Sequence, residues 1–144
     1  MANVLGKPLP RLDSPGKVTG ETKYLNDLTF PGMLYGKVLR SPHSHARIVS
    51  INTERARFLP GVRAVITAAD TPQIKFSFIQ ALADKYPLCT DKVRFIGDEV
   101  AAVAADDLET AERAIRLIEV EYEPLPGAYD PEKAMEPGAP LVHE

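Results

Sequence analysis

The sequence is poor in the residues that build metal cages and disulfides, with one cysteine and three histidines in 144 residues. Cys89 alone cannot form a disulfide within one chain, and it cannot supply a cage of zinc thiolates. A single cysteine agrees with a reducing, intracellular setting. We therefore expect a cytoplasmic protein.

Long hydrophobic runs are also missing. No stretch approaches the roughly 20 apolar residues that a membrane-spanning helix needs. The N-terminal stretch MANVLGKPLPRLD lacks the apolar core of a secretory signal. We expect no membrane association.

The chain has no excess of positive charge. It carries 17 Lys and Arg against 20 Asp and Glu, a net charge of -3, and the basic residues are dispersed. This pattern predicts no nucleic-acid partner. The glycine motifs GxGxxG and GxxxxGK[ST] are absent, so phosphate cradles of those types are excluded. What remains is the composition of a globular protein, 44% hydrophobic and 26% charged, at the length of one domain.

Proline and glycine mark both ends of the chain. Residues 1–32 hold four prolines and four glycines, which predicts a loop-rich lead-in, with KVTGETKYLND as a short strand and turn. Residues 126–144 hold four more prolines and read as a linker, in which Asp130 and Pro131 can start one helical turn. The sequence thus predicts one domain over residues 1–125 and a proline-rich linker over 126–144.

The centre of the chain alternates between strand and helix patterns. MLYGKVLR and ARIVSIN predict two strands, joined by a kinked corner at Ser41-Pro42. NTERARFLPG predicts a short helix capped by Asn52 or Thr53. VRAVITA predicts a strand with Val62, Ala64 and Ile66 on one side, whereas residues 70–92 show no sustained period.

The clearest local pattern covers residues 93–126. Residues 93–96 and 100–105 predict a strand pair, with Gly97-Asp98 as the turn. Asp106 and Glu109 have the spacing of a helix capping box. The following helix should bury one face and lead into a strand that alternates with exposed glutamates. The members of that face are Leu108, Ala111, Ile115 and Ile118, and the buried strand positions are Val120 and Tyr122. The fold class is therefore α+β.

Two of the three histidines, His43 and His45, stand two positions apart in LRSPHSHARI. On a strand they would share a face and could approach one metal ion. A metal site needs a further ligand, and the sequence indicates none. The alternative interpretation, which we favour, is that the histidines make local hydrogen bonds.

Other reactive side chains have structural explanations. Three acidic clusters fall in a predicted turn (Asp98-Glu99), at a helix start (Asp106-Asp107) and on the wet face of a strand (Glu119, Glu121 and Glu123). Ser41 and Cys89 are the two nucleophiles in unusual surroundings, and neither lies in a nucleophile elbow or a known cysteine signature. We assign no catalytic, cofactor-binding or metal-binding residue.

Five segments, taken in order, resemble a known family. They are GKPLPRLDSPGKVTGETKYLNDL, PGMLYGKVLRSPHSHARIVSINT, LPGVRAVITAADTP, DKVRFIGDEVAAVAADDLETAERAIRLIEVEYEPLP and DPEKAMEPGAPLVHE, and they cover nearly the whole chain. On these segments the chain is similar to the N-terminal module of the molybdenum-binding subunit of the xanthine dehydrogenase and aldehyde oxidase family, which includes carbon monoxide dehydrogenase and 4-hydroxybenzoyl-CoA reductase branches.

The resemblance implies an α/β hammerhead fold, with a mixed sheet, packed helices and a protruding hairpin. It implies a parent oxidoreductase with a molybdopterin cofactor, and partner domains or subunits that carry iron-sulfur clusters and usually FAD. That parent would hydroxylate an aldehyde or heteroaromatic carbon, or reductively dehydroxylate an aromatic acyl-CoA. The linker would lead to the molybdopterin-binding domains. No position here matches the family's cofactor glycines or catalytic glutamate.

Two departures from the family pattern leave the branch open. Ser44 stands where the family usually has alanine, and Asp98-Glu99 follow Gly97 where Gln-Pro is common. The resemblance implies a non-catalytic structural and interface domain of a larger enzyme. The rival hypothesis is a free-standing binding or scaffold module that uses His43 and His45 for a metal.

Overall fold

The computed structural model describes residues 6–143, and the chain separates into two compact units, Met1–Met33 and Leu34–Glu144. The first unit contains helix α1 (Ser14–Thr19) and a 3-10 turn (Leu25–Asp27). The predicted strand in this region is wrong. Pro15 lies in the first turn of α1, where its missing N–H is not needed, and Gly20 ends the helix at φ 78°.

In the second unit, residues 34–143 form six strands. These are β1 (Tyr35–Arg40), β2 (Ala46–Asn52), β3 (Val62–Thr67), β4 (Lys92–Val93), β5 (Glu99–Ala105) and β6 (Glu119–Pro124). Their order is β1-β5-β3 in the first sheet and β4-β2-β6 in the second. The pairings between these strands are antiparallel, so the strands form two antiparallel sheets where one mixed sheet was expected. The α+β class is confirmed.

Helices α2 (Glu54–Arg57) and α3 (Leu108–Arg116) pack on the first sheet. Three 3-10 turns complete the unit, at Ala68–Asp70, Gln80–Leu82 and Lys133–Met135. As expected, the side chains of Asn52 and Asp130 accept hydrogen bonds from nearby backbone N–H groups. The donors are Glu54, at 3.0 Å from Asn52, and Glu132, at 2.9 Å from Asp130. No helix within residues 6–143 is long and apolar enough to cross a membrane.

The main core lies between the first sheet and the helices. Its buried members are Ala56, Val65, Ala101, Val103, Ala114 and Ile118. Alanines dominate on α3, where Ala111 and Ala114 are buried, so the helix can lie close to the sheet. Of the helical face predicted from the sequence, Ala111 and Ile118 are buried, but Leu108 is 46% exposed. Ile118 follows the end of the helix.

The prediction that Val62, Ala64 and Ile66 share one side of β3 is wrong. Val65 is its buried residue, while Ala64 and Ile66 are exposed. The register against β5 shifts between Val62 and Ala64. This β-bulge inserts one residue, and it reverses the side to which the following residues point.

The predicted strand pair of residues 93–96 with 100–105 is also wrong. β4 pairs with β2 in the second sheet, and β5 pairs with β1 and β3 in the first. The loop between them is held from outside, because Gly97 N–H donates to Ser41 O at 2.8 Å and Ser41 N–H donates to Asp98 O at 2.9 Å. The strand-helix-strand segment from β5 to β6 therefore links two sheets and is no parallel crossover.

The helix cap lies one residue later than predicted. Asp107 caps α3, since its carboxylate accepts the N–H of Thr110 at 2.7 Å, and its backbone is extended as a cap requires. Asp106 is still held beside β3, because its N–H donates a hydrogen bond at 2.9 Å to the carbonyl of Gly61, the residue before that strand. Its carboxylate instead accepts two bonds from Arg63, at 2.7 and 2.9 Å.

This assignment of the cap predicts different effects for two neighbouring substitutions. Asp107→Ala should lower the midpoint of urea unfolding by roughly 0.5 M, because a helix-terminal N–H loses its acceptor. Asp107→Asn should retain most of the stability, since its amide oxygen can accept the same bond. Asp106→Ala should have a smaller effect, because its ion pair with Arg63 is exposed. An equal loss from Asp106→Ala would contradict the assignment.

The same cap should respond to pH. Hydrogen bonds from the Thr110 N–H and hydroxyl lower the pKa of Asp107 below its usual 3.8. A lowered pKa means that the carboxylate form favours the folded state. Its contribution is present above pH 3.8 and is lost as the pH falls through the lower folded-state pKa. The difference in urea midpoint between wild type and Asp107→Ala should therefore shrink below about pH 4.

Candidate functional site at the corner between the sheets

Residues 41–45, named here the corner, carry the chain from β1 in the first sheet to β2 in the second. Ser41 is only 2% exposed. Its hydroxyl accepts the N–H of His43 at 2.9 Å and donates to the carbonyl of His43 at 3.0 Å. The side chain thus closes a local turn around Pro42, and the predicted kinked corner between two strands is confirmed.

The two histidines of the corner have separate partners. The His43 ring lies 4.8 Å from the Tyr122 ring, at an angle of 58°. His45 is buried, and its Nδ1 lies 2.6 Å from the carbonyl oxygen of Pro126, as a donor to that oxygen. The Nε2 of His45 is buried without a hydrogen-bond partner. The favoured interpretation, hydrogen bonding within the protein, holds for His45, but its partner is distant in sequence and not local.

The strand geometry assumed for a histidine metal site is wrong, because His43 and His45 lie between the strands. In the part of the chain that the structure describes, no three His, Cys, Asp or Glu side chains come together as a metal site. His143, the third histidine, lies 3.7 Å from Asp84. The two imidazoles of the corner therefore have separate neighbours, Tyr122 for His43 and Pro126 for His45.

The start of the predicted linker is bound to the corner. Leu125 N–H donates to His45 O at 2.9 Å, and the hydroxyls of Tyr129 and Ser44 lie 2.6 Å apart. Together with the bond from His45 to Pro126, these contacts hold residues 125–129 in place. The sequence signal that could have revealed this is Tyr129, an aromatic residue inside a segment otherwise rich in proline.

Asp98 and Glu99 form a charge cluster next to the corner, and not the simple exposed turn that was expected. Asp98 is 3% exposed and accepts the N–H of Arg94 at 2.9 Å. Glu99 pairs with Arg40 at 2.8 Å and with Lys85. Burial alone would raise the pKa of Glu99, but the hydrogen bonds from Lys85 and Arg40 bring that pKa below its usual value. Both carboxylates are thus fixed by partners.

Cys89 lies beside this cluster and is almost fully buried. Burial, followed by the negative charge of Asp98 and a hydrogen bond to it, raises the pKa of the Cys89 thiol from 9.0 to about 12. The thiolate is the reactive form of cysteine. This environment therefore makes Cys89 a poor nucleophile at neutral pH.

A small cavity of about 120 Å³ opens beside Cys89 and Asp98. Small-molecule sites usually enclose about 300 Å³ or more. The charged groups around the cavity have opposite signs, so the cavity favours neither anions nor cations. Its lining includes Lys85, Cys89, Arg94, Phe95, Asp98 and His143.

Residues 19–126 match the family model described as aldehyde oxidase and xanthine dehydrogenase, a/b hammerhead domain. The chain is 50% identical over 143 residues to a probable xanthine dehydrogenase subunit of Bacillus subtilis, and the match covers 98% of this chain and 19% of that protein. It is 50% identical over 127 residues to the carbon monoxide dehydrogenase large chain of Afipia carboxidovorans, where the match covers 87% of this chain and 16% of that protein.

Comparison with solved structures indicates the same family. A crystal structure of Cu,Mo-CO dehydrogenase superimposes with a TM-score of 0.83 at 44% identity, over 94% of this chain and 17% of that one. Quinoline 2-oxidoreductase from Pseudomonas putida 86 superimposes with a TM-score of 0.83 at 38% identity, over 93% of this chain and 18% of that one. The chain therefore spans less than one fifth of the length of these relatives.

The corner predicts unequal costs for its two serines. Ser41→Ala should lower the free energy of unfolding by about 1–3 kcal/mol, because the His43 N–H loses its acceptor in a largely buried turn. Ser44→Ala, the matched control, removes only a contact to the exposed Tyr129 and should cost about 0.5 kcal/mol or less. Urea unfolding of both variants measures this. Equal costs would show that the Ser41 turn does not hold the corner.

The raised pKa of Cys89 predicts slow alkylation of the folded protein. At pH 8 the thiolate fraction should be about a thousandfold lower than in the unfolded chain, because three pKa units separate the two states. Iodoacetamide labelling with and without urea tests this directly, since Cys89 is the only cysteine. Asp98→Asn should speed labelling, because it removes one cause of the raised pKa. Equal labelling rates with and without urea would refute the burial of the thiol.

Proposed function

This chain belongs to the aldehyde oxidase and xanthine dehydrogenase family, and from that premise we propose that it is a structural and interface domain of a larger molybdenum-dependent oxidoreductase. The observation that carries the proposal is the match of residues 19–126 to the family's hammerhead domain. The two relatives at 50% identity support the proposal, because the region that matches this chain is less than one fifth of each relative's length.

The proposed role is non-catalytic. In residues 6–143 the charged groups around the cavity beside Cys89 pair with one another, and no three potential metal ligands come together. These groups are therefore not free to hold a molybdopterin, and we place that cofactor in other domains of the parent chain.

The parent protein, in this proposal, is a molybdopterin-dependent oxidoreductase whose electrons pass to iron-sulfur clusters and usually FAD on partner domains or subunits. Relatives include subunits of nicotinate dehydrogenase from Eubacterium barkeri and of the 6-hydroxypseudooxynicotine dehydrogenase complex from Paenarthrobacter nicotinovorans. Both names describe dehydrogenases, which supports an oxidoreductase as the parent. The reaction class in this proposal is hydroxylation of an aldehyde or heteroaromatic carbon, or reductive dehydroxylation of an aromatic acyl-CoA. Because the relatives' substrates differ, the proposal names no individual substrate.

The domain boundaries are part of the proposal. Residues 1–125 form the hammerhead domain with its lead-in, and residues 126–144 lead toward the molybdopterin-binding domains. The contacts of Pro126 and Tyr129 with the corner support a refinement. The first residues of the linker, 126–129, belong structurally to the domain.

The purified chain of 144 residues provides the test. It should give the circular dichroism of a folded α+β protein, contain no stoichiometric molybdenum by elemental analysis, and show no hydroxylase activity. Molybdenum bound together with turnover would overturn the proposal. A His43→Ala, His45→Ala double variant is the control for the rival, because only a histidine metal site predicts metal binding that this variant abolishes.

A further inference from the structure

The first sheet has one covered face and one open face. On the covered face, Leu39, Val65 and Val103 belong to the core or pack against it. Lys37 also points to this side, where it pairs with Glu112 of α3 at 3.0 Å. Since side chains alternate along a strand, the neighbouring positions point to the opposite side of the sheet.

Strand register arranges those neighbours in two rows, named here the open face. The first row is Val38, Ala102 and Ile66, and the second is Gly36, Ala104 and Ala64. Val38 and Ile66 are each 40% exposed. Gly36 and Ala64 are exposed, and the two central alanines are partly exposed. All six positions are apolar, which leaves an apolar patch in contact with solvent.

Strand β6 of the second sheet shows which residues this chain has on a solvent-exposed strand surface. In β6 the outward positions are Glu119, Glu121 and Glu123, all exposed. The open face carries no such charges. An antiparallel sheet with one solvated face normally has polar residues on that face, so six adjacent apolar positions make the open face a candidate contact surface.

The shape of the open face indicates the kind of partner. Small residues fill its middle, and Val38 and Ile66 stand on either side as low ridges. A Cβ added to Gly36 would meet no closer atom than Val103 O at 3.9 Å, so the space in front of β1 is open. Such a trough fits the large apolar side chains of another layer, which can approach the backbone closely.

We propose that the open face docks an apolar layer supplied by the remainder of the same polypeptide, the molybdenum-binding part of the large subunit. This inference rests on the proposed function. The length of chain in the relatives favours this occupant, because their matching region occupies only 19% and 16% of their length. A covalently linked layer is present at high effective concentration, which a second copy of the chain is not.

The test compares thiol labelling in the chain of 144 residues and in the complete large subunit expressed from the same gene. Val38→Cys and Ile66→Cys are introduced singly, and maleimide labelling is followed at each site by peptide mapping. Both sites should label rapidly in the short chain and on the order of tenfold or more slowly in the complete subunit. Val49→Cys, exposed on β2 of the second sheet, is the matched control and should change little.

Three outcomes would overturn the inference. Equal labelling of Val38→Cys and Ile66→Cys in both proteins would mean that the large subunit leaves the open face uncovered. Protection of Val49→Cys to the same degree would mean that the effect is not specific to this face. Protection in the short chain that grows with protein concentration would identify a second copy as the occupant.

The molybdenum content of the two proteins separates this inference from the proposed function. Metal in the complete subunit and none in the short chain supports the proposed function whatever the labelling shows. If the labelling is then equal in both proteins, the docking surface alone is wrong. Stoichiometric molybdenum in the short chain would instead remove the premise, and with it the inference.

Discussion

The structure of the second unit depends on the passage of the chain from one sheet to the other at Ser41 and Pro42. Two antiparallel sheets that share no strand must be joined where a strand ends, and backbone groups at such a joint lose their ladder partners. Ser41 meets this constraint with its N–H, its carbonyl and its hydroxyl, all of which are hydrogen-bonded. Because its backbone partners belong to the loop of Gly97 and Asp98, the corner also fixes the point at which β5 begins.

The local sequence pattern predicted the helices and strands better than it predicted which strands pair with each other. The alternation in β6 and the Ser-Pro break between β1 and β2 were sufficient, because both depend on neighbours in sequence. The predicted pairing of residues 93–96 with 100–105 failed for a non-local reason. Ser41 takes the loop's hydrogen bonds although it lies far away in sequence, and no periodicity in the loop reveals it. The bulge in β3 and the shift of the cap from Asp106 to Asp107 were missed for the same kind of reason.

Family resemblance provided what local pattern could not. The motifs around Ser41, Gly97 and Tyr122 are far apart in sequence, and the structure brings them together at the corner. The resemblance is confirmed by the family match and the solved relatives. The burial of Asp98 could not be read from its neighbours, since an acidic pair after glycine is typical of an exposed turn. Burial of that carboxylate depends on Arg94 and Lys85, which only the fold places beside it.

The anchoring of residues 125–129 has a practical consequence for anyone who dissects or recombines these large subunits. A truncation at Leu125, where the strand pattern stops, would remove the Pro126 carbonyl that receives the His45 ring and the Tyr129 hydroxyl that meets Ser44. Both ring nitrogens of His45 would then be buried without a hydrogen-bond partner. A cut after Tyr129 preserves both contacts, so a domain swap between family members should transfer the corner and this short segment as one cassette.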